Sequence, residues 1–267
     1  MSEEIGAYFP GLEVLLMSDN GFNGSIPSSL GNMSLMYELD LSNNSLQGQI
    51  PGWIRNMSSL EFLDLSRNNL SSPLPPRFGT SSKLKVVYLS RNKFQGPIAK
   101  TFYDSVEIFA LDLSHNDLTG RILEWIDRLS NLRFLLLSYN NLEGEIPSEI
   151  GNLNKIKALN LSHNSLIGPI PSTFSNLKEI ESLDLSYNKL DGEIPPRLVE
   201  LFSLEFFSVA HNNLSDKTPA RVAQFATFEE SCYRDNPFLC GEPLPKICGA
   251  AMPPSPTPTS TNNEDNG

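Results

Sequence analysis

Three cysteines, three histidines and two tryptophans are all that the 267 residues hold of those types. Three thiols cannot build the multiple-disulfide framework of a small secreted scaffold, and no Cys-x-x-Cys pair is there to begin a zinc or redox motif. His-Glu-x-x-His, Gly-x-Ser-x-Gly and a phosphate-cradling glycine loop are missing as well. Basic residues are outnumbered 20 to 31, for a net charge of −11. Such a chain has no broad basic surface for displacing the counterions of a nucleic acid. No run reaches the roughly 18 uncharged apolar residues of a membrane span. The start, MSEEIGAYFP, has neither the basic nor the apolar region of a secretory signal. The expectation is of a folded, acidic chain without leader or span of its own.

What the sequence does have is a period. An asparagine ends the pattern Leu-x-x-Leu-x-Leu-Ser-x-Asn at Asn20, Asn44, Asn68, Asn92, Asn116, Asn140, Asn164, Asn188 and Asn212, always 24 residues apart. Nine copies without insertion or deletion mark a repeat architecture in which length measures repeat number.

The columns of the repeat carry its physics. Counting back from each Asn, positions −5 and −3 are apolar, from Leu15 and Met17 to Phe207 and Val209. Alternation with period two predicts a short strand with one buried face. The Asn follows that strand, where the chain turns away, and its amide can satisfy backbone groups that the turn leaves unpaired. A surface position would drift over nine copies, so the column is expected to be buried. Gly-x-Ile-Pro comes next, as at Gly144 with Ile146 and Pro147. Gly permits the bend, and Pro marks an extended segment kept out of a central ladder. A stretch such as SEIGNLNKI (148–156) then reads as an outer helical turn. The predicted fold is an α/β solenoid with a parallel inner sheet of nine rungs and short outer helical turns.

These motifs closely resemble the plant extracellular leucine-rich repeats. Their consensus LxxLxxLxLSxNxLxGxIPxxLGNL is matched almost throughout 156–180 (IKALNLSHNSLIGPIPSTFSNLKEI). The phrases IESLDLSYNKLDGEIP, LEFFSVAHNNLS and FATFEESCYRDNPFLCGEPLPKIC resemble the membrane-proximal part of plant receptor-like proteins, the kinase-less receptors of defence and development. The resemblance implies a right-handed superhelix and divides the chain into a partial preceding repeat (1–11), the solenoid (12–219), a C-terminal cap (220–249) and a Pro/Thr-rich acidic linker (250–267). The linker is expected to be disordered, since it cannot bury a core. In the cap, Phe225, Phe228, Tyr233 and Phe238 are available to cover the last rung. Cys232, Cys240 and Cys248 are spaced evenly by eight, so spacing cannot choose a pairing. The family pattern implies Cys240 with Cys248. Cys232 is left as a buried thiol or an alternative partner.

The inner sheet exposes positions −7, −6, −4, −2 and −1, and variation concentrates at −4 and −1. Aromatic residues and Arg among carboxylates are what a protein-binding face uses. Seven Asn-x-Ser sequons, at Asn23, Asn32, Asn43, Asn56, Asn69, Asn160 and Asn213, are candidates for glycosylation. Asn43 and Asn160 fall in the inner columns, where a glycan would obstruct docking. Between them lies a sequon-free face carrying Asp64, Arg67, Tyr88, Arg91, Asp112, Phe134, Leu136 and Tyr139, the expected ligand surface. The resemblance further implies that the last rungs touch a receptor-kinase co-receptor, through Asp184, Tyr187, Ser208 and His211, with Asn160 and His163 beside them. Any membrane attachment would come from a span that this sequence does not contain.

His115, His163 and His211 share the −1 column but lie two rungs apart, about 10 Å at the spacing of parallel strands, too far to share one ion. Asp40 and Asp64 are roughly 5 Å apart, close to the separation of a glycosidase pair. No pocket there would raise one of them for acid catalysis. No catalysis, cofactor, metal or nucleic acid is expected. The favoured reading is recognition of an extracellular peptide, protein or glycan. The alternative is a soluble inhibitor of microbial cell-wall hydrolases, similar to polygalacturonase-inhibiting proteins. An ice-binding surface needs a more regular lattice than the −4 and −1 columns provide.

Overall fold

The computed structural model describes residues 1–78 and 83–249, and the expected linker lies outside them. Nine three-residue strands form the inner sheet: Val14–Leu16, Glu38–Asp40, Phe62–Asp64, Val86–Tyr88, Ala110–Asp112, Phe134–Leu136, Ala158–Asn160, Ser182–Asp184 and Phe206–Ser208. All pair in parallel and in strict register, each residue opposite its equivalent 24 positions on, as Leu135 opposite Leu159. The −5 leucines point into the core, where Leu39, Leu63, Leu111, Leu135, Leu159 and Leu183 are all but inaccessible. One such unit has nothing to bury its face against. Stacked units share a single apolar column that runs from Leu15 to Leu239.

The sequence pattern does not predict the second parallel sheet. Ten strands, from Asn23–Gly24 through Asn141–Glu145 to Phe238–Cys240, run along the flank just after the asparagine turns. Their partners are stepped by 22 residues, Glu143 opposite Ser165 and Gly168 opposite Leu190. Most contribute a buried leucine, such as Leu142 or Leu166, and end near the repeat glycine. The glycines take left-handed backbone, with φ of 77° at Gly144 and 74° at Gly168, so the strand bends out of its ladder there. The outer segments are single 3-10 turns at Ser28–Asn32, Gly52–Asn56, Glu124–Arg128, Ser148–Asn152, Ser172–Asn176 and Pro196–Glu200. In most of them a proline precedes the turn, lending its fixed φ and withholding no bonded N–H. Between Ile98 and Ile108 the outer path is made of plain turns around buried Phe102.

The asparagines join the rungs. Asn140 Nδ2 donates to the carbonyls of Leu113, Leu137 and Ser138, and its Oδ1 accepts the N–H of Leu118. The same set recurs at Asn92, Asn116, Asn164, Asn188 and Asn212, tying each turn to the rung before it. The first copy departs from the expected burial. Asn20 is exposed and its amide donates only to Ser18, because no earlier rung supplies a second carbonyl.

The ladder runs one rung further than nine. Asn236 lies 24 residues beyond Asn212, is buried, donates to Val209, Tyr233 and Arg234, and accepts from Leu214. Val209 and His211 donate in turn to the carbonyls of Cys232 and Arg234, which extends the inner ladder into the cap. Phe225, Phe228 and Tyr233 close over Phe207 with ring centroids 5.2, 5.6 and 5.7 Å away. Phe238 does not join them and is exposed, because an inserted residue passes its inward place to Leu239. Cys240 and Cys248 are bonded, and Cys232 is a free, half-buried thiol.

Candidate functional site: the concave face and its stacked rim

Two columns expected to share one face do different things. At −4 the side chains of Asp40, Asp64, Asp112 and Asp184 turn along the strand, and each accepts the N–H of the serine two residues on, at 2.8 to 3.0 Å. Asn160 accepts from Ser162 in the same way. These groups cap the ends of their own strands, and all are half-buried. Burial lifts the Asp64 carboxyl above its ordinary value; the bonds from Ser66 oppose this, and the neighbouring Asp40 and Asp112 add to it. The expected ligand residues Asp64 and Asp112, and Asp184 among the expected co-receptor residues, therefore each have one carboxylate oxygen already employed.

Position −1 is not part of the flat sheet at all. Asp19, Asn43, Arg67, Arg91, His115, Tyr139, His163, Tyr187, His211 and Asp235 all have φ between 52° and 58°, the left-handed region that side chains seldom enter. The backbone around them is held from both sides, as where Arg67 donates to Ser90 and Asn68 to Arg91. The conformation is over-determined by its neighbours, which is how strained backbone persists. It sets one side chain per rung in a row along the rim of the concave face.

Five of those side chains stack. His115, Tyr139, His163, Tyr187 and His211 lie face to face in succession, with centroids 4.0 to 4.2 Å apart and planes within 17° of parallel. Burial, then the charge of Arg91, holds the His115 imidazole below its ordinary pKa, against a smaller opposing pull from Asp112. Burial lowers His163 too, with Asp184 opposing and His211 assisting. His211 closes the row with Nδ1 3.2 Å from the Asp235 carboxylate. The histidines are visible in the sequence as a column. Their contact requires the intervening tyrosines and the turned-out backbone.

Of the remaining expected ligand residues, Arg67 and Arg91 are exposed, Phe134 is 38% and Tyr139 46% exposed, and Tyr88 and Leu136 are half-buried. Tyr88 meets Phe62 edge-on at 6.0 Å. Phe109, 37% exposed one rung from Phe134, belongs to the same apolar patch and was missed because it stands at −7. On that opposite edge Lys85 and Lys157 are taken up by Glu61 and Glu181, each at 2.6 Å. Ser208 is half-buried and Tyr187 exposed. Six of the seven sequon asparagines are exposed or half-exposed at the surface, and Asn160 is half-buried on the inner face. A recess lies elsewhere, on the outer flank between Lys100, Arg121, Trp125 and Glu145. Charges of both signs line it.

The repeat geometry and the family comparison agree. Residues 10–70 match one leucine-rich-repeat model, and 108–129, 131–153, 155–177 and 179–201 match another. The chain belongs to the leucine-rich-repeat family. It is similar to the ectodomain of the Arabidopsis thaliana membrane receptor kinase GASSHO1/SCHENGEN3, solved with CASPARIAN STRIP INTEGRITY FACTOR 2 (32% identity over 93% of this chain and 32% of that one, TM-score 0.81). It is also similar to the Arabidopsis receptor kinase HAESA, solved with the peptide hormone IDA and the co-receptor SERK1 (33% identity, 90% of this chain and 40% of that one, TM-score 0.83). A plant ice-binding protein shares 28% identity over 94% of this chain and 80% of its own, with a TM-score of 0.75. The chain thus spans 32% and 40% of the two receptor ectodomains. No curated protein matches it by sequence.

Proposed function

We propose that the chain is a recognition segment of a plant receptor-like protein, which takes an extracellular peptide on its concave face and engages a receptor-kinase partner through its last rungs. The observation that carries this reading is the surface of Arg67, Arg91, Phe134, Leu136 and Tyr139. Two exposed guanidinium groups and a ring held by stacking line the rim, and exposed Phe134 with half-buried Leu136 stands on a strand of the same face. Arg and aromatic anchors of this kind dominate binding energy at protein interfaces, and rings already fixed in place lose little entropy on docking. The ectodomains of GASSHO1/SCHENGEN3 and HAESA, each solved in complex with a factor or hormone, support the same use of the fold. For the co-receptor the candidate surface is Tyr187, Ser208 and His211, with Asp184 beneath. Glycosylation of the exposed sequons, a role in defence and a place at the plasma membrane belong to this reading as its corollaries.

The test is a displayed library of secreted plant peptides panned against the 267-residue chain. Selected peptides should lose at least about tenfold in affinity on Arg91→Glu or Phe134→Asp, the loss expected of an anchor residue. They should be indifferent to Arg197→Glu on the outer turns. Binders that ignore both concave substitutions would sink the reading. An inhibitor of cell-wall hydrolases, the second possibility, would instead slow a polygalacturonase directly.

A further inference from the structure

We infer that the rim of the concave face is a proton-gated docking edge for an acidic, extended peptide, with Arg67, Arg91, His115 and His163 meeting its carboxylates and Phe134 and Leu136 seating an apolar side chain. This rests on the concave face being the ligand surface, and it adds the charge of the ligand and its dependence on pH.

The row is built to meet something. The hydroxyls of Tyr139 and Tyr187 and the ring nitrogens of His115 and His163 have no hydrogen-bond partner among the described residues, yet stacking holds each ring in place. Arg67, Arg91, His115 and His163 lie in the same left-handed column, and His211 ends it with Nδ1 on Asp235 and Nε2 buried. From Arg67 to His211 the column covers seven rungs, and its six spacings make roughly 29 Å at the separation of parallel strands, the length of about nine extended residues.

Charge decides which peptide, and when. Facing His115 are Arg91, Asp112 and Tyr139. Facing His163 are Asp184, the rings of Tyr139 and Tyr187, and His211 beyond. Facing His211 are Tyr187 and Asp235, the latter also 3.8 Å from Arg234. With neutral imidazoles, two arginines stand against Asp64, Asp112, Asp184 and Asp235, and an acidic chain is turned away. With His115 and His163 charged, and Asp235 occupied by the His211 ring and Arg234, four cations face three carboxylates. Both His115 and His163 resist protonation because of partial burial and like charge. A carboxylate laid against them offsets that resistance, so binding draws protons in and acid tightens binding. The apolar seat on the same concave face favours a peptide over an acidic polysaccharide, which has no side chain to place there.

The probe is a fluorescein-labelled nine-residue peptide of alternating Asp and Ser with a central Phe, followed by anisotropy on the full chain at constant ionic strength. Each exposed charge pair is worth about a 1.5- to 5-fold gain, so two imidazolium ions should tighten the probe about fivefold between about pH 7.5 and about pH 5, the range over which imidazole titrates and carboxylates do not. In H115Y/H163Y, which keeps rings at positions where Tyr139 and Tyr187 already accept the same backbone, the gain should shrink to less than about 1.5-fold. H115N/H163N should behave alike, since Asn43 occupies the column naturally. The proposal is overturned if the acid gain survives in both variants, or if a probe with Asn for Asp gains equally. It is also overturned if an oligogalacturonate competes while replacing the probe's Phe by Ser changes nothing. Library peptides that depend on Phe134 and Arg91 but show no acid gain would remove this inference and leave the peptide-receptor reading standing.

Discussion

Replacing Asn140 by Ala should damage the solenoid far more than replacing Asn20, although both occupy the same column. Asn140 is buried and makes four bonds, three as donor and one accepting from Leu118. Truncation leaves the Leu118 N–H without an acceptor inside the structure, at roughly 1–3 kcal/mol, and removes the two N–H donors that three nearby carbonyls share. A loss of about 3 kcal/mol follows. At Asn20 the only side-chain bond is an exposed one to Ser18, 2.7 Å long, and the loss should stay within about 0.5 kcal/mol. Asn140→Asp is the sharper test, because it keeps the shape and the acceptor but turns a carboxylate oxygen toward the carbonyls of Leu113, Leu137 and Ser138. At neutral pH it should cost at least as much as Ala. The folded state would favour the protonated acid, so the acid's pKa rises on folding. The penalty is then full above that raised value and is relieved as pH falls through it. Urea unfolding of all three variants, with hydrogen exchange read at Leu118, measures these effects. Equal losses at Asn20 and Asn140, or a harmless Asn140→Asp substitution at neutral pH, would refute the account of the ladder.

Three further outcomes are expected. Serine at both Cys240 and Cys248 opens a loop of eight residues, worth about 2.5 kcal/mol by loop entropy; exchange should quicken at Phe238–Cys240 while the inner sheet keeps its protection. His115 and His163 have lowered pKa values, so the fold prefers them neutral: their share of stability is complete above the ordinary value near 6.5 and declines as pH falls below it. Melting temperature between neutral and acid pH should drop less in H115Y/H163Y than in the parent. Gly151→Ala would set a Cβ 2.5 Å from that of Thr173 and 2.6 Å from its carbonyl oxygen, forcing two outer turns apart at about 1–3 kcal/mol, which denaturant titration would register.

Most of the solenoid was legible because the period had no insertions, so that each column could be averaged by eye over nine copies. The inner sheet and outer turns follow from that. The flank sheet did not, since a segment such as Asn141–Glu145 is polar and glycine-bearing and reads as a turn in sequence. Its ladder forms because the rungs on either side hold it there. Asn236 escaped notice because the leucine columns around it have become Ser231 and Tyr233, leaving only the spacing as a signal. At the site, residue types were legible and backbone conformation was not. The −4 aspartates read in sequence as free ligand groups, but the serine two residues later engages each one. The −1 residues read as part of the sheet, but their positive φ carries them to its rim.

The uninterrupted spacing has a consequence for how such a rim can change. Excising any one 24-residue unit would rejoin the chain in phase, with the asparagine ladder and the core intact. The order of rings would not survive. Without the unit that carries Tyr139, His115 would stack directly on His163. The imidazoles already oppose each other's protonation across an intervening phenol, and at half that distance the repulsion would grow. The alternation of histidine and tyrosine therefore stores information in its parity, and a single in-phase exchange of repeats could retune the acid response of the edge while leaving the scaffold unaltered.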